Sequence, residues 1–442
     1  MSLKEVRIPY GHGAKTLKVP EANLAWVVGP KYIPPVKDLL EAVRQALAAP
    51  IGAPSLKELV VQRGTKTMIL VDDGTRNTPQ QLILPVLLAE LNAAGVADSE
   101  ITVMIALGTH RPMNEAECAQ RYGQEVVDRV KVINLPQEPE HFEDLGKTPS
   151  GVPIHVSRLY LESEISIAVG NIIPHMYAGW AGGAKMVQPG VTSHVTTAET
   201  HLMAGPRVYE ILGQVDNPVR REMEEIALQT GLTCIVNVVL NSEGEIVAVV
   251  AGHPVEAHRA GVDIARPIYT VELDERPDIV VAGAHPADRD LWQGFKPING
   301  CGMLAKDGGT LILVTPAPEG IAPDHQLLIE LGTTPEQTVH QLLKEGKITD
   351  GVAAATYLAL VQTRQRVEVV VVTDGFSNEE AARIGLTATA NLDEALAHAL
   401  ARHGSDARIG VVTKGADIMA RFKPQATTQV PSGHPKQTKA IT

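Results

Sequence analysis

Cysteine is scarce in this chain. Cys118, Cys234 and Cys301 are odd in number, far apart and free of C-x-x-C spacing. That excludes a disulfide framework and a cysteine-type zinc site, and fits a reducing cytoplasm. No apolar run reaches the roughly 18 residues of a membrane span, and the opening MSLKEVRIPYG lacks the apolar core of a signal peptide. Long runs of Lys or Arg are missing too. With a formal charge of −12, the chain offers no basic patch for nucleic acid. Several signatures are also absent. There is no G-x-G-x-x-G, GGAKM lacks the G-K-[ST] ending of a P-loop, and neither H-E-x-x-H nor a His pair at i, i+4 occurs. A classical nicotinamide or ATP enzyme is therefore unsupported, as is a conventional zinc site. The expectation is a soluble cytoplasmic protein that engages neither membrane nor nucleic acid.

What the chain does contain is length and alternation. Its 442 residues are 44% hydrophobic and 20% charged, which suits a globular protein of two domains. Short apolar runs such as Thr67–Val71, Ile101–Leu107, Ile165–Gly170, Ile279–Ala282, Thr310–Thr315, Val367–Thr373 and Arg408–Thr413 alternate with helical segments. Such strands imply parallel sheets wrapped on both faces. The fold class is α/β, two domains each with a sheet flanked by helices, and an active site in the interdomain cleft. RPIYTVELDERPD reads as the crossover, placing residues 1–270 in a catalytic and cofactor-binding domain and 271–442 in a second α/β domain. The polar tail after about residue 423, with Pro424, Pro431 and Pro435, is expected to be loosely ordered.

The stretch GNIIPHMYAGWAGGAKMVQPGVTSHVTTAETH, Gly170 to His201, organises the rest. It leaves a strand through a loop dense in glycine and proline, where open α/β sheets place their ligands. It carries His175, Lys185 and, on a helix beyond, His194 and His201. The last two are seven apart, two turns along one face and too distant to grip one metal together. Earlier, DDGTRNTP follows a strand and sets Asp73, Thr75 and Arg76 before a helix whose N-cap reads as Thr78 with Pro79 next. Such a loop favours an anion, and Arg can clamp a carboxylate with two hydrogen bonds. The plainer reading is a solvated Asp–Arg pair. His110 in GTHRPM also follows a strand. A lone loop histidine is ordinarily structural, but two in equivalent positions are harder to dismiss. In the second domain Trp292, Gln293 and Lys296 fall on a helix, with Gln293 and Lys296 sharing a face. An exposed polar face is the alternative there.

Imidazole, with a pKa near 6.5, is too weak a base to remove a C–H proton alpha to a carboxylate, but it takes a hydroxyl proton well. If the hydrogen on carbon leaves as hydride, a cofactor must accept it.

Four motifs in this order, DDGTR with TP at 72–79, ALGTHRPM at 106–113, the GNIIPHMYAGWAGGAKMVQPG run with His201, and Q-x-x-K at 293–296, make the chain resemble the lactate racemase family. These enzymes carry the nickel-pincer nucleotide, a pyridinium-3-thioamide-5-thiocarboxylic acid mononucleotide holding Ni. The resemblance implies an isomerase, a racemase or epimerase of 2-hydroxy acids that works by proton-coupled hydride transfer. It implies Lys185 as the cofactor-bearing lysine, His201 as nickel ligand, and His110 and His175 as the acid–base pair. Arg76, Gln293 and Lys296 would bind the substrate, and Asp73 and Thr75 would line the cofactor side. Implied partners are a small 2-hydroxy acid and the enzymes that make the cofactor. The chain departs from the family at Ala184, where a basic residue is common, and at Met176–Tyr177, where an aromatic pair is common. Lactate is therefore not assumed. Two other readings stay open: a cofactor-free lyase or isomerase using the His pair and Lys185, and a non-catalytic hydroxy-acid binder.

Overall fold

The computed structural model describes residues 2–423. The sequence expectation for the later tail falls outside the described residues. Two six-stranded sheets carry the architecture. The first runs, from one edge, Ile246–Gly252, Cys234–Leu240, Ile165–Asn171, Thr67–Val71, Ile101–Ile105 and Lys131–Asn134. All neighbours are parallel except the Cys234–Leu240/Ile246–Gly252 hairpin. The apolar runs form central strands because helices cover both faces. Every residue of Thr67–Val71 and of Ile165–Asn171 is buried.

From Thr67–Val71 the chain first adds strands on one side, then returns to place Ile165–Asn171 on the other. The crevice between these two strands is the switch point at which open sheets bind ligands. The loops that leave them are 72–79 and 172–193.

The second sheet is wholly parallel: Thr387–Thr389, Glu368–Val372, Thr310–Val314, Ile279–Gly283, Ile409–Val412 and Leu24–Val28. Its own switch point lies between Ile279–Gly283 and Ile409–Val412. From it start the helix Leu291–Gly302 and the turn at 415–417. The two switch points, one from each sheet, supply the walls of a single cleft.

The last strand of that second sheet corrects the expected boundary. Residues 1–270 do not form one unit, because Leu24–Val28 pairs with Ile409–Val412. The preceding hairpin, Leu3–Tyr10 with Gly13–Pro20, packs Val6, Ile8, Leu17 and Val19 against Ile279, Val281, Ile312 and Val314. An edge strand of four half-buried residues and one exposed valine has no clean hydrophobic period, so its partner sheet was not legible. Ile8 is completely buried in this interface. Ile8→Ala should cost about 2–5 kcal/mol and lower the unfolding temperature seen by calorimetry. An unchanged transition would show that the hairpin is dispensable.

Candidate active site

Asp72 and Asp73 end the same strand but do different work. The Asp72 carboxylate accepts from Gln80 Nε2 at 3.0 Å and Arg121 Nη2 at 2.7 Å, and also from Thr78 Oγ1. Thr78 therefore ties down the loop and does not cap the helix, which begins at Gln80 and runs unbroken through Pro85. Asp73 points the other way. Its Oδ1 accepts from Thr75 N at 2.8 Å and Thr75 Oγ1 at 2.5 Å, and its Oδ2 meets His110 Nδ1 at 2.5 Å. Burial opposes ionisation of Asp73, but the His110 ring, Arg76 and Thr75 outweigh it and hold the carboxyl far below its ordinary value. His110 itself is lowered: burial dominates, with Arg76 and Lys296 adding to it against the pull of Asp73. The resting pair is a carboxylate accepting Nδ1–H from a neutral ring. The Nε2 lone pair of His110 is then a base on the cleft wall.

His175 is set in the opposite sense. The backbone N–H of Tyr177 donates to His175 Nδ1 at 3.2 Å, so the neutral ring carries its proton on Nε2. Burial, then the charges of Lys185, Lys296 and Arg76, keep His175 well below its usual pKa.

The chain next makes the turn Gly179–Gly183, and three fully buried side chains hold it. Arg220 donates from Nε to Ala178 O at 3.3 Å, from Nη1 to Gly182 O at 3.3 Å, and from Nη2 to Trp180 O. Asn237 Oδ1 accepts from Gly183 N at 2.8 Å, and His258 Nε2 donates to Ala181 O at 2.9 Å. The packing leaves room only for glycine: at Gly182, φ +77, a Cβ would lie 2.7 Å from Asn237 Oδ1. Lys185 follows on a short 3₁₀ turn, Gly183–Met186. Its amine makes no hydrogen bond or ion pair among the described residues. Burial first, then Arg76, Lys296 and Arg220, depress its pKa well below the ordinary lysine value. A shift in that direction favours the neutral, nucleophilic form of the amine.

On the helix His194–Ala204, His201 Nδ1 donates to Thr197 O at 2.9 Å, which leaves Nε2 as a free donor atom for a metal. Burial lowers its pKa to about 3, against the help of the Thr197 carbonyl. His194 lies away from the cleft, paired at 3.1 Å with Asp350. From the second sheet, the helix Leu291–Gly302 brings Gln293, whose Oε1 accepts from Lys296 Nζ at 2.7 Å. Lys296 is pushed well below its usual pKa by burial and by Arg76. Arg76 Nη1 is buried with no partner.

Asp73, Arg76, His110, His175, Lys185, His201, Gln293 and Lys296 all line one cleft, open at its mouth. Thr75 alone of the expected set stands outside it, in a small side chamber with Arg76, His175, Lys296 and Asp417. Among the described residues, no cluster of three or more His, Cys, Asp or Glu could hold a metal by itself.

Residues 10–208 match the lactate racemase N-terminal domain, and residues 274–420 match the lactate racemase C-terminal domain. The chain is 27% identical to the lactate racemase of Thermoanaerobacterium thermosaccharolyticum over 434 residues, 95% of this chain and all of that one. It is 26% identical to the lactate racemase of Lactiplantibacillus plantarum, covering 86% of this chain and 91% of the relative. The solved apoprotein of the former superposes with a TM-score of 0.84 at 26% identity, across 95% of this chain and the whole of that structure. The chain belongs to the lactate racemase family. A Thermotoga maritima structure, 20% identical over 89% of this chain and all of its own, shares the fold at a TM-score of 0.69.

The residues present fit the lactate racemase cofactor. A lysine amine with a depressed pKa and no partner among the described residues suits covalent attachment, and one free imidazole nitrogen suits a metal whose other ligands come from an organic group. Arg220, Asn237 and His258, which hold the turn before Lys185, were not legible in the sequence, nor was Asp417. The Asp417 carboxyl is pushed up to about 6 by burial, against the nearby Lys414 and Lys296. Only tertiary placement distinguishes such residues from ordinary helix, strand and loop positions.

The neutral histidines carry a cost that acidification reveals. His110, His175, His201 and His258 all have folded pKa values below the ordinary one. Their contribution is fully present above the unfolded value near 6.5 and is lost as pH falls toward the folded values. The unfolding temperature should drop steadily between pH 7 and 4, by roughly 2–4 °C per kcal/mol lost. A flat profile over that range would show that these rings titrate alike in the folded and the unfolded chain.

Proposed function

We propose that this enzyme racemises or epimerises a 2-hydroxy acid, with the nickel-pincer nucleotide joined to Lys185 and its nickel on His201. The observation that carries this reading is the opposite hydrogen bonding of the two imidazoles on one cleft. His110 has its lone pair free at Nε2, and His175 has its proton there. Arg76 Nη1, buried and unpartnered, awaits an anion, and a bound carboxylate would satisfy it and favour the charged form of Lys296. Gln293, held to Lys296, fixes the direction of that ammonium.

With the carboxylate so anchored, His110 Nε2 takes the proton of the 2-hydroxyl group, and Asp73 stabilises the imidazolium that forms. The bound cofactor supplies the acceptor and donor of hydride at C2. His175, protonated when the substrate binds, would give its Nε2 proton to the oxygen of the flat 2-keto acid and return to the neutral ring, so the pair passes one proton across the substrate and works in either direction. Burial of both rings and of the lysine keeps water from competing for these protons. No side chain of the cleft is asked to break a carbon–hydrogen bond.

The test is protein co-produced with the cofactor-making enzymes. A mass increment on Lys185, bound nickel and loss of optical rotation from a 2-hydroxy acid are expected. A deuterium label at C2 should survive inversion without exchange into water. The depressed pKa of Lys185 also suits a Schiff-base lysine. Active protein with an unmodified Lys185 and no nickel would establish that second chemistry instead.

A further inference from the structure

The cleft divides by chemistry. Its lining is of two kinds: the polar His110, His175, Arg76, Gln293 and Lys296, and an apolar and aromatic surface made of Met176, Tyr177, Trp292, Phe295, Val352 and Thr356, which we call the wall. The chain is poor in aromatics, with three Trp, eight Tyr and four Phe in 442 residues, yet one of each type lines this cleft. We infer that this wall is the side-chain subsite, and that the substrate is a monocarboxylic 2-hydroxy acid bearing an aryl or branched alkyl group larger than methyl. This rests on the reading given under the proposed function.

Three observations support it. First, the cationic side chains lining the cleft are Arg76, Lys185 and Lys296. With Lys185 given to the cofactor and Arg76 and Lys296 to the one carboxylate, a second carboxylate on the substrate would find no counter-charge left, which desolvation makes costly. Second, the two hydroxyl groups of the wall are used on one another. Tyr177 Oη donates to Thr356 Oγ1 at 3.1 Å, so the pair presents ring and methyl surface in place of hydrogen-bonding groups for a polyhydroxyl tail.

Third, the wall is braced. The Trp292 ring stacks on His325, centroids 4.0 Å apart and 19° from parallel, and meets Phe295 nearly edge-on at 6.4 Å. His325 Nδ1 is bonded at 2.7 Å to Asp350, the residue that caps the helix carrying Val352 and Thr356. Tyr177 packs edge-on against His201 at 4.8 Å. A rigid aromatic surface offers an aryl or branched group large contact area at little entropic cost, whereas a methyl group would leave most of it uncovered.

The experiment compares lactate, 3-phenyllactate, 2-hydroxyisocaproate, malate and gluconate on the nickel-loaded full-length enzyme, reading kcat and KM separately. Binding is followed in parallel by tryptophan fluorescence. The two apolar acids should exceed lactate by about tenfold or more in kcat/KM, with malate and gluconate lower still. Val352→Phe should reverse the order of phenyllactate and lactate through KM. Val352→Ala, which cannot overfill the wall, should relax the preference among apolar acids without admitting malate. Preference for lactate, malate or gluconate in the wild type would overturn the subsite while leaving the racemase reading intact. Failure of every 2-hydroxy acid to be inverted would overturn the racemase reading, and the subsite with it.

Discussion

Lys185→Ala and His201→Ala should each abolish turnover, because each removes one anchor of the nickel-loaded cofactor. The alanine at 185 removes the one lysine amine of the cleft that has no partner among the described residues, so intact-mass analysis should show no adduct and metal analysis no nickel. At 201 the chain loses the one imidazole whose Nδ1 is committed to a backbone carbonyl and whose Nε2 is free. The adduct can then still form, but nickel should be weakly held. His175→Ala must behave differently. It should keep both the adduct and nickel, while turnover falls by about 10²–10⁴, the range for loss of a general acid or base. A nickel-free His175→Ala protein would remove His175 from the acid–base pair and return it to structure.

Asp73→Asn is the sharper substitution, because it changes almost nothing in shape. The Asp73 carboxylate accepts three hydrogen bonds, two from Thr75 and one from His110. An amide has only one accepting oxygen. If Thr75 retains it, the NH₂ group faces His110 Nδ1 and drives the ring proton to Nε2, where the lone pair is needed. Reversal of a tautomer in this way costs up to about 10⁴ in kcat in a hydrolase triad, and a loss of about 10²–10⁴ is expected here. For a true racemase both directions must fall together, because the two enantiomers are equal in energy. Bound nickel and KM should change little. A loss confined to KM would mean that Asp73 holds ligand and does not set the ring.

Much of this site was legible because its chemistry sits directly after strands. His110, His175 and the Asp73–Arg76 loop each follow an apolar run, and parallel sheets put such loops on one edge. Gln293 and Lys296 were legible as a pair at helical spacing, though not as part of a cleft. What the chain order concealed was support from far away. Arg220 lies in a helix, Pro218–Gln229, that reads as ordinary and amphipathic, yet its guanidinium is buried under the turn before Lys185. His258 likewise belongs to an unremarked helix, Glu256–Tyr269, and reaches Ala181. Hydrogen bonds between residues tens of positions apart leave no periodic trace. The division of the chain failed at Leu24–Val28 for a related reason: an edge strand is defined by its partner more than by its own pattern.

That edge strand has a mechanical consequence. The chain leaves the second sheet after Val28 and comes back to it through Thr270–Leu273, which pairs with Met419–Phe422. The catalytic half is thus threaded into the other half as an insert with two tethers. The tethers run side by side, joined where Lys31 N donates to Ile268 O at 2.9 Å. Both crossings lie at one seam, while the helices His194–Ala204 and Gly351–Arg366 pack across the boundary elsewhere and Tyr177 and Tyr209 reach over it to Thr356 and Thr363, so the insert is clasped along its length and does not dangle from its tethers.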